Sequence, residues 1–207
     1  MRKIVSLFLF VSLALALKAQ DKIYDSYDNL LADKGDIVTT LHKVRRSVNQ
    51  LYLSGGADYE IYSIDNKQLT KYLKKRCYAV RLNDTLYVNC RNIRYKKYRF
   101  GSWYAIGEMV KGKLYFSAQP LGQIASSSFI PKETSKLGGA VGDAINASGL
   151  VTDRVVYEID PETKNAVFVG RERMLEILKP YPELLDAFSR EDSESADVIG
   201  KYLLKLR

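Results

Sequence analysis

A chain of 207 residues is long enough for one domain with a real core, or for two small ones. With one histidine and two cysteines, it lacks the His/Cys/carboxylate cluster of a zinc site, and no cofactor is implied. The formal charge of +8 is unevenly placed: eleven Lys or Arg stand against Asp84 alone between Lys67 and Arg99, and six acids against Arg190 alone between Glu183 and Asp197. Such asymmetry fits either intramolecular pairing or an anionic partner.

Arg2 and Lys3 open the chain, Ile4 to Leu17 is apolar apart from Ser6 and Ser12, and Lys18-Ala19-Gln20-Asp21 ends the run. A charged start, an apolar stretch and a small residue at the exit are the parts of a secretory signal peptide. A spanning helix needs about twenty residues, more than this run offers. Cleavage is expected after Ala19, with Ala14-Leu15-Ala16 as a second option. No cysteine lies near the cut, so no lipid-modified N-terminus is expected. Loss of Arg2, Lys3 and Lys18 lowers the formal charge from +8 to near +5. The organisation read from this is a signal peptide over 1–19, an N-terminal helical segment over 20–58 and a single α+β domain over 59–207. The protein is expected in the periplasm, at the outer membrane or outside the cell.

From Asp36 to Leu53, Ile37, Leu41, Val44, Val48 and Leu51 recur at alternating spacings of four and three, which predicts a helix capped by Asp36 and ended by Gly55-Gly56. Tyr59 to Ser63 reads as a strand. Lys67 to Lys75 reads as a short basic helix capped by Asp65 or Asn66. Two β-rich runs, Arg76 to Leu82 and Thr85 to Arg91, flank the turn formers Asn83-Asp84 and predict a hairpin. A second hairpin is expected over Trp103 to Val110 and Lys113 to Ala118 around Lys111-Gly112, and a third over Arg154 to Asp160 and Asn165 to Val169. Between them, Gln119 to Pro131 reads as a loop and Glu133 to Ser148 as a small-residue helix. The chain closes with helices over Arg171 to Leu178, Pro182 to Phe188 and Ser195 to Leu206. The fold class expected is α+β, with a largely antiparallel sheet of about three hairpins flanked by short helices.

Across a two-residue turn at Asn83-Asp84, Cys77 and Cys90 face each other at a non-hydrogen-bonded pair, where Cα atoms are about 4.5 Å apart. That lies within the disulfide range. With export to an oxidising compartment, a Cys77–Cys90 bridge is expected.

His42 stands alone beside Leu41, among Lys43, Arg45 and Arg46 and without a G-x-S-x-G elbow, so no catalytic role is assigned to it. Glu108, Asp143, Glu158 and Asp160 are the carboxylates that a glycoside-type hydrolase would have to bring together. The glycines from Gly138 to Gly142 lack a phosphate-loop pattern; their spacing suits a closely packed helix. Arg94-Tyr95-Lys96-Lys97-Tyr98-Arg99 offers cations and rings to an anion. Export argues against nucleic acid and for an anionic envelope component or another envelope protein.

Leu86-Tyr87-Val88-Asn89-Cys90-Arg91, Phe100-Gly101 with Tyr104-Ala105, Leu114 to Ala118 with Pro120-Leu121-Gly122, and Glu176 to Leu185 together resemble an uncharacterised family of exported Bacteroidetes proteins, a domain of unknown function. The resemblance runs over about residues 59–206. It implies a periplasmic or outer-membrane-facing setting and no particular chemistry. The function expected is non-enzymatic binding through a basic, Tyr-rich face between Lys67 and Arg99. The alternatives are a structural or assembly role through the small-residue helix or acidic C-terminal helices, and a carboxylate-based hydrolase.

Overall fold

The computed structural model describes residues 20–54, 56–122 and 153–207. Its elements, in chain order, are β1 (Lys22–Tyr24), α1 (Tyr27–Leu31), β2 (Asp36–Ile37), β3 (Leu41–Arg45), α2 (Val48–Ser54), β4 (Tyr59–Ser63), α3 (Lys67–Lys75), β5 (Ala79–Leu82), β6 (Thr85–Asn89), a 3₁₀ turn (Cys90–Asn92), β7 (Arg94–Tyr95), β8 (Tyr98–Arg99), β9 (Tyr104–Val110), β10 (Lys113–Ala118), β11 (Val155–Ile159), β12 (Ala166–Phe168), α4 (Arg171–Leu178), α5 (Pro182–Ser189) and α6 (Ala196–Leu204). This is an α+β fold on a largely antiparallel sheet. Strands run in the order β12-β11-β10-β9-β6-β5-β1-β2, and the β3–β4 ribbon joins at the start of β9 through Tyr59 and Tyr104.

The hairpins form where their turn residues permit. Asn83 and Asp84 have φ of 48° and 63°, and Lys111 and Gly112 have 48° and 74°, the left-handed pairs that a two-residue turn needs to match strand twist. The 79/88 and 81/86 pairs stand in the register expected. Asn66 caps α3 by accepting from Leu69 N at 2.9 Å.

The central strands β5, β6, β9, β10 and β11 are buried on both faces and are accordingly rich in hydrophobic residues on both. One face holds Ala79, Leu86, Val88, Ala105, Leu114, Phe116, Val155 and Tyr157, covered by α1 and by the segment from Cys90 to Phe100. The other is divided. α4, α5 and α6 cover Val110, Tyr115 and Val156, while α3 covers Val80, Leu82, Tyr87 and Tyr104.

The helix expected over Asp36 to Leu53 is replaced by β2, β3 and the short α2. Its stripe is not a buried one: Leu41 and Leu51 are inside, but Ile37, Val44 and Val48 are exposed. Five cross-strand pairs between β3 and β4 settle the backbone as strand, because helix nucleation is costly and local periodicity yields to tertiary pairing.

The Cys77–Cys90 bridge is also corrected. Both cysteines are free and buried, and they sit on opposite faces of the sheet. Cys77 N still donates to Tyr72 O at 3.1 Å, so this residue belongs to the end of α3. The ladder begins one residue later, where Asn89 N donates to Tyr78 O. Cys77 therefore turns toward α3, away from the face that Cys90 shares with Ala79 and Val88. The small-residue helix expected over Glu133 to Ser148, and the loop expected beyond Gly122, lie outside the described residues.

Candidate functional site: a basic hairpin pinned to the core

At the end of β6 the chain leaves the sheet through Asn89. Its Nδ2 donates to Leu73 O and Cys77 O, and its Oδ1 accepts from Arg91 N. The 3₁₀ turn then delivers Ile93 to the core, and Phe100 returns to the same core seven residues later. Phe100 N donates to Ile93 O at 3.3 Å and closes the segment at its base. Between these anchors stand β7 and β8, a separate two-stranded ribbon with Arg94 opposite Arg99 and Tyr95 opposite Tyr98.

Directly opposed residues share a face of the ribbon. The tyrosines lie on the inner one. Tyr95 is buried, its ring 5.5 Å from that of Tyr157, which also packs against Phe100 and Phe116. Tyr98 is exposed at the rim, with its ring against Gly122, where an added Cβ would clash with Tyr98 Cε2. Arg94 and Arg99 share the outer face, and Lys96 and Lys97 form the tip, with ammonium groups 5.5 Å from the Tyr95 and Tyr98 rings. Opposed like charges destabilise a strand pair. No acid relieves them: among the described residues Arg94, Lys97 and Arg99 form no ion pair. A cavity of about 120 Å³ lies beside the ribbon, lined by Gly56, Ala57, Arg99, Phe100 and Gln119 among others.

The structure thus gathers Arg94 to Arg99 but divides the wider basic stretch. The lysines of α3 ride on the opposite face of the sheet, held there by Leu69, Tyr72 and Leu73. Sequence reasoning missed a neighbouring corner around Trp103. Lys74 Nζ lies 4.7 Å and Arg46 Cζ 5.8 Å from its ring centroid. Trp103 has φ of +86°, unusual for a bulky side chain. Arg46 is buried, donating to Ala57 O and Gln50 O. The signal in the sequence was the lone Trp two residues after Gly101.

The acidic C-terminal stretch does not neutralise the hairpin. Asp186 pairs with Arg190, Glu191 with Lys201 and the Tyr202 hydroxyl, and Glu194 accepts from Arg171 N. These three acids bond within the C-terminal helical region.

Of the hydrolase carboxylates, Glu108 and Glu158 oppose the same residue, Tyr115, from either side in adjacent strands. Two strand spacings separate them, about 9.6 Å between backbones. Both are committed to cations: Glu108 to Arg207, and Glu158 to Lys113 and Arg173. Burial and the Glu158 charge push the Tyr115 hydroxyl up to about 12. Asp160 is exposed and accepts from the amides of Glu162 and Thr163, which hold it below the ordinary carboxylate value. Asp143 lies outside the described residues. His42 is exposed on β3 and stacks on Tyr62. No helix among the described residues is long and apolar enough to cross a membrane.

Fold and site together define an antiparallel α+β protein whose small basic ribbon carries Arg94, Lys97 and Arg99 with no ion pair among the described residues. The chain belongs to a family of unknown function, DUF6563, whose model matches residues 22–207. The match takes in β1 to β3 as well as the stretch from residue 59 where the resemblance was first read. Comparison with curated proteins and with solved structures returns no match.

Proposed function

We propose that this is an exported, non-enzymatic protein of the cell envelope that holds an anionic envelope component on the β7–β8 ribbon. One observation carries the reading: Arg94 and Arg99 face each other on the outer side of a ribbon locked to the core by Tyr95, with no acid paired to either among the described residues. Two guanidinium forks at the spacing of a strand pair, about 5 Å, suit an oxyanion that accepts from both. Lys97 at the tip adds long-range attraction, and the exposed Tyr98 offers a ring to the apolar part of the partner. Such a complex relieves the repulsion that the free ribbon tolerates. Phosphate or carboxylate groups of lipid headgroups or acidic glycans supply the oxyanion. Export, which rests on the leader-like residues 1–19, makes nucleic acid an unsuitable partner.

The test is binding of the mature chain to vesicles with and without anionic lipid, and to an acidic glycan, across a salt series. Binding should weaken steeply with salt, because the screening length shortens from about 30 Å at 0.01 M to about 8 Å at 0.15 M. The Arg94→Ser/Lys96→Ser/Lys97→Ser/Arg99→Ser variant should lose most of it. Equal binding by that variant, or no binding at low salt, refutes the proposal.

A further inference from the structure

We propose that the mature chain begins at Gln20 and that this residue closes on itself to a pyroglutamyl lactam, leaving the exported protein without a charged N-terminus. The inference rests on the export reading and goes beyond it. In the sequence, Ala19 is the small residue at the exit of the apolar run, and Gln20 follows it.

The structure shows what a cut at that point would leave. Asp21 is already tied into the fold: its carbonyl accepts from Val38 N at 3.0 Å, and its carboxylate accepts from Asn83 N at 3.3 Å. From Lys22 onward, β1 is bonded on both sides, to β2 and to β5. Gln20 alone stands between this frame and the cut. It is exposed, at the edge of a shallow depression of about 620 Å³ that it shares with Asp21, Val38, Thr40 and Asp84. Exposure leaves its side chain room to turn toward its own backbone nitrogen.

The chemistry needs no second reactant. The neutral α-amine of Gln20 attacks its side-chain carbonyl carbon Cδ. The N–Cδ bond forms, the Cδ–Nε2 bond breaks, and Nε2 departs as ammonia with the proton lost by the amine; nothing is oxidised or reduced. A five-membered lactam results. An α-amine has an ordinary pKa of about 7.7–8.0, so the attacking neutral form is well populated near neutrality. The Asp21 carboxylate, the nearest anion in sequence, is engaged by the Asn83 amide. The product carries no terminal amine to be protonated and denies aminopeptidases the free amine that they require.

The experiment is intact-mass measurement and N-terminal sequencing of full-length protein exported with its own leader, alongside a Gln20→Asn variant. The expected mass is that of residues 20–207 less one ammonia, with sequencing blocked until a pyroglutamyl peptidase is added. The variant should keep an open N-terminus that sequencing reads without the peptidase, because closure of its α-amine on the shorter side chain would need a four-membered ring. A chain beginning at an open Gln20, or at Leu17 after the second cleavage option, would overturn the lactam and leave export standing. A chain still beginning at Met1 would overturn both.

Discussion

The Asp58–Arg154 pair fixes the geometry next to the ribbon, and breaking it gives the sharpest test of how that corner is held. Arg154 donates through Nε at 2.7 Å and Nη2 at 2.5 Å to the two Asp58 oxygens, and both side chains are less than one-fifth exposed. The contact joins the residue before β4 to the residue before β11, and Asp58 O also accepts from Arg46 N beside Trp103. Removing one partner of a buried pair costs about 3–5 kcal/mol, because the other charge is left desolvated. Residual exposure here lets water in and lowers the figure, so Asp58→Asn should cost about 2–3 kcal/mol. At about 2–4 °C per kcal/mol for a chain of this size, the melting temperature should fall by about 4–12 °C. Arg154→Met should cost a similar amount, and the double variant much less than the sum, with a coupling of at least about 1 kcal/mol. Thermal melts of the three variants measure all of this. Additivity within about 0.5 kcal/mol would mean that the pair behaves as a solvated surface contact and that the reasoning is wrong.

Four further outcomes are expected. Thiol titration should find two free cysteines in denaturant and none reactive in the native protein, since burial pushes the Cys77 thiol up to about 11 and Cys90 higher still. An acid held up on folding stabilises the native state below its unfolded value, here 9.0, and that stability disappears as pH rises toward about 11. The shift is worth about 3 kcal/mol at about 1.36 kcal/mol per unit, so alkaline unfolding followed by circular dichroism should set in above pH 9 and not at neutrality. Tyr95→Ala should lose about 3 kcal/mol of stability, whereas Tyr98→Ala should leave the melt almost unchanged and weaken anion binding; the reverse pattern would invert the inner and rim assignments. Gly107→Ala should cost about 1–3 kcal/mol by overpacking, because its Cβ would lie 2.5 Å from Val88 Cγ2 within the sheet.

What the sequence disclosed was local chemistry. Asn83-Asp84 and Lys111-Gly112 announce their hairpins because few residues accept φ > 0 twice in a row, and Asn66 announces α3 through its side-chain oxygen. The helix expected over Asp36 to Leu53 failed where a non-local partner decides: nothing near His42 reveals that Tyr62 will lie across from it. The bridge failed by one residue. Counting pairs outward from the turn is sound as far as Tyr78 and Asn89, but α3 keeps hold of Cys77, and where a helix ends against a ladder cannot be read from the ladder's alternation. The basic stretch shows the same limit, since charge along a chain carries no label for the face of the sheet to which each part will go.

The distribution of ion pairs adds a reason to look to the ribbon. Near the C-terminal helices, four cations are matched: Lys113 and Arg173 meet Glu158, Arg207 meets Glu108, and Lys201 meets Glu191. Arg173 ties α4 to β11, Arg207 ties the C-terminus to β9, Lys201 ties α6 to the segment after α5, and Lys113 joins β10 to β11. The ribbon follows another rule. It is anchored to the core through Tyr95, Ile93 and Phe100, so burial holds its backbone without help from its charges. Arg94 and Arg99 therefore are not needed for attachment, and facing each other they oppose it slightly. A neutral pair at these two positions should make the free protein more stable by a few tenths of a kcal/mol up to about 1 kcal/mol. Measured on the Arg94→Ser/Arg99→Ser variant, a rise in melting temperature together with a loss of anion binding would show charge held at a cost to folding. A fall in melting temperature would mean that the arginines serve the fold after all.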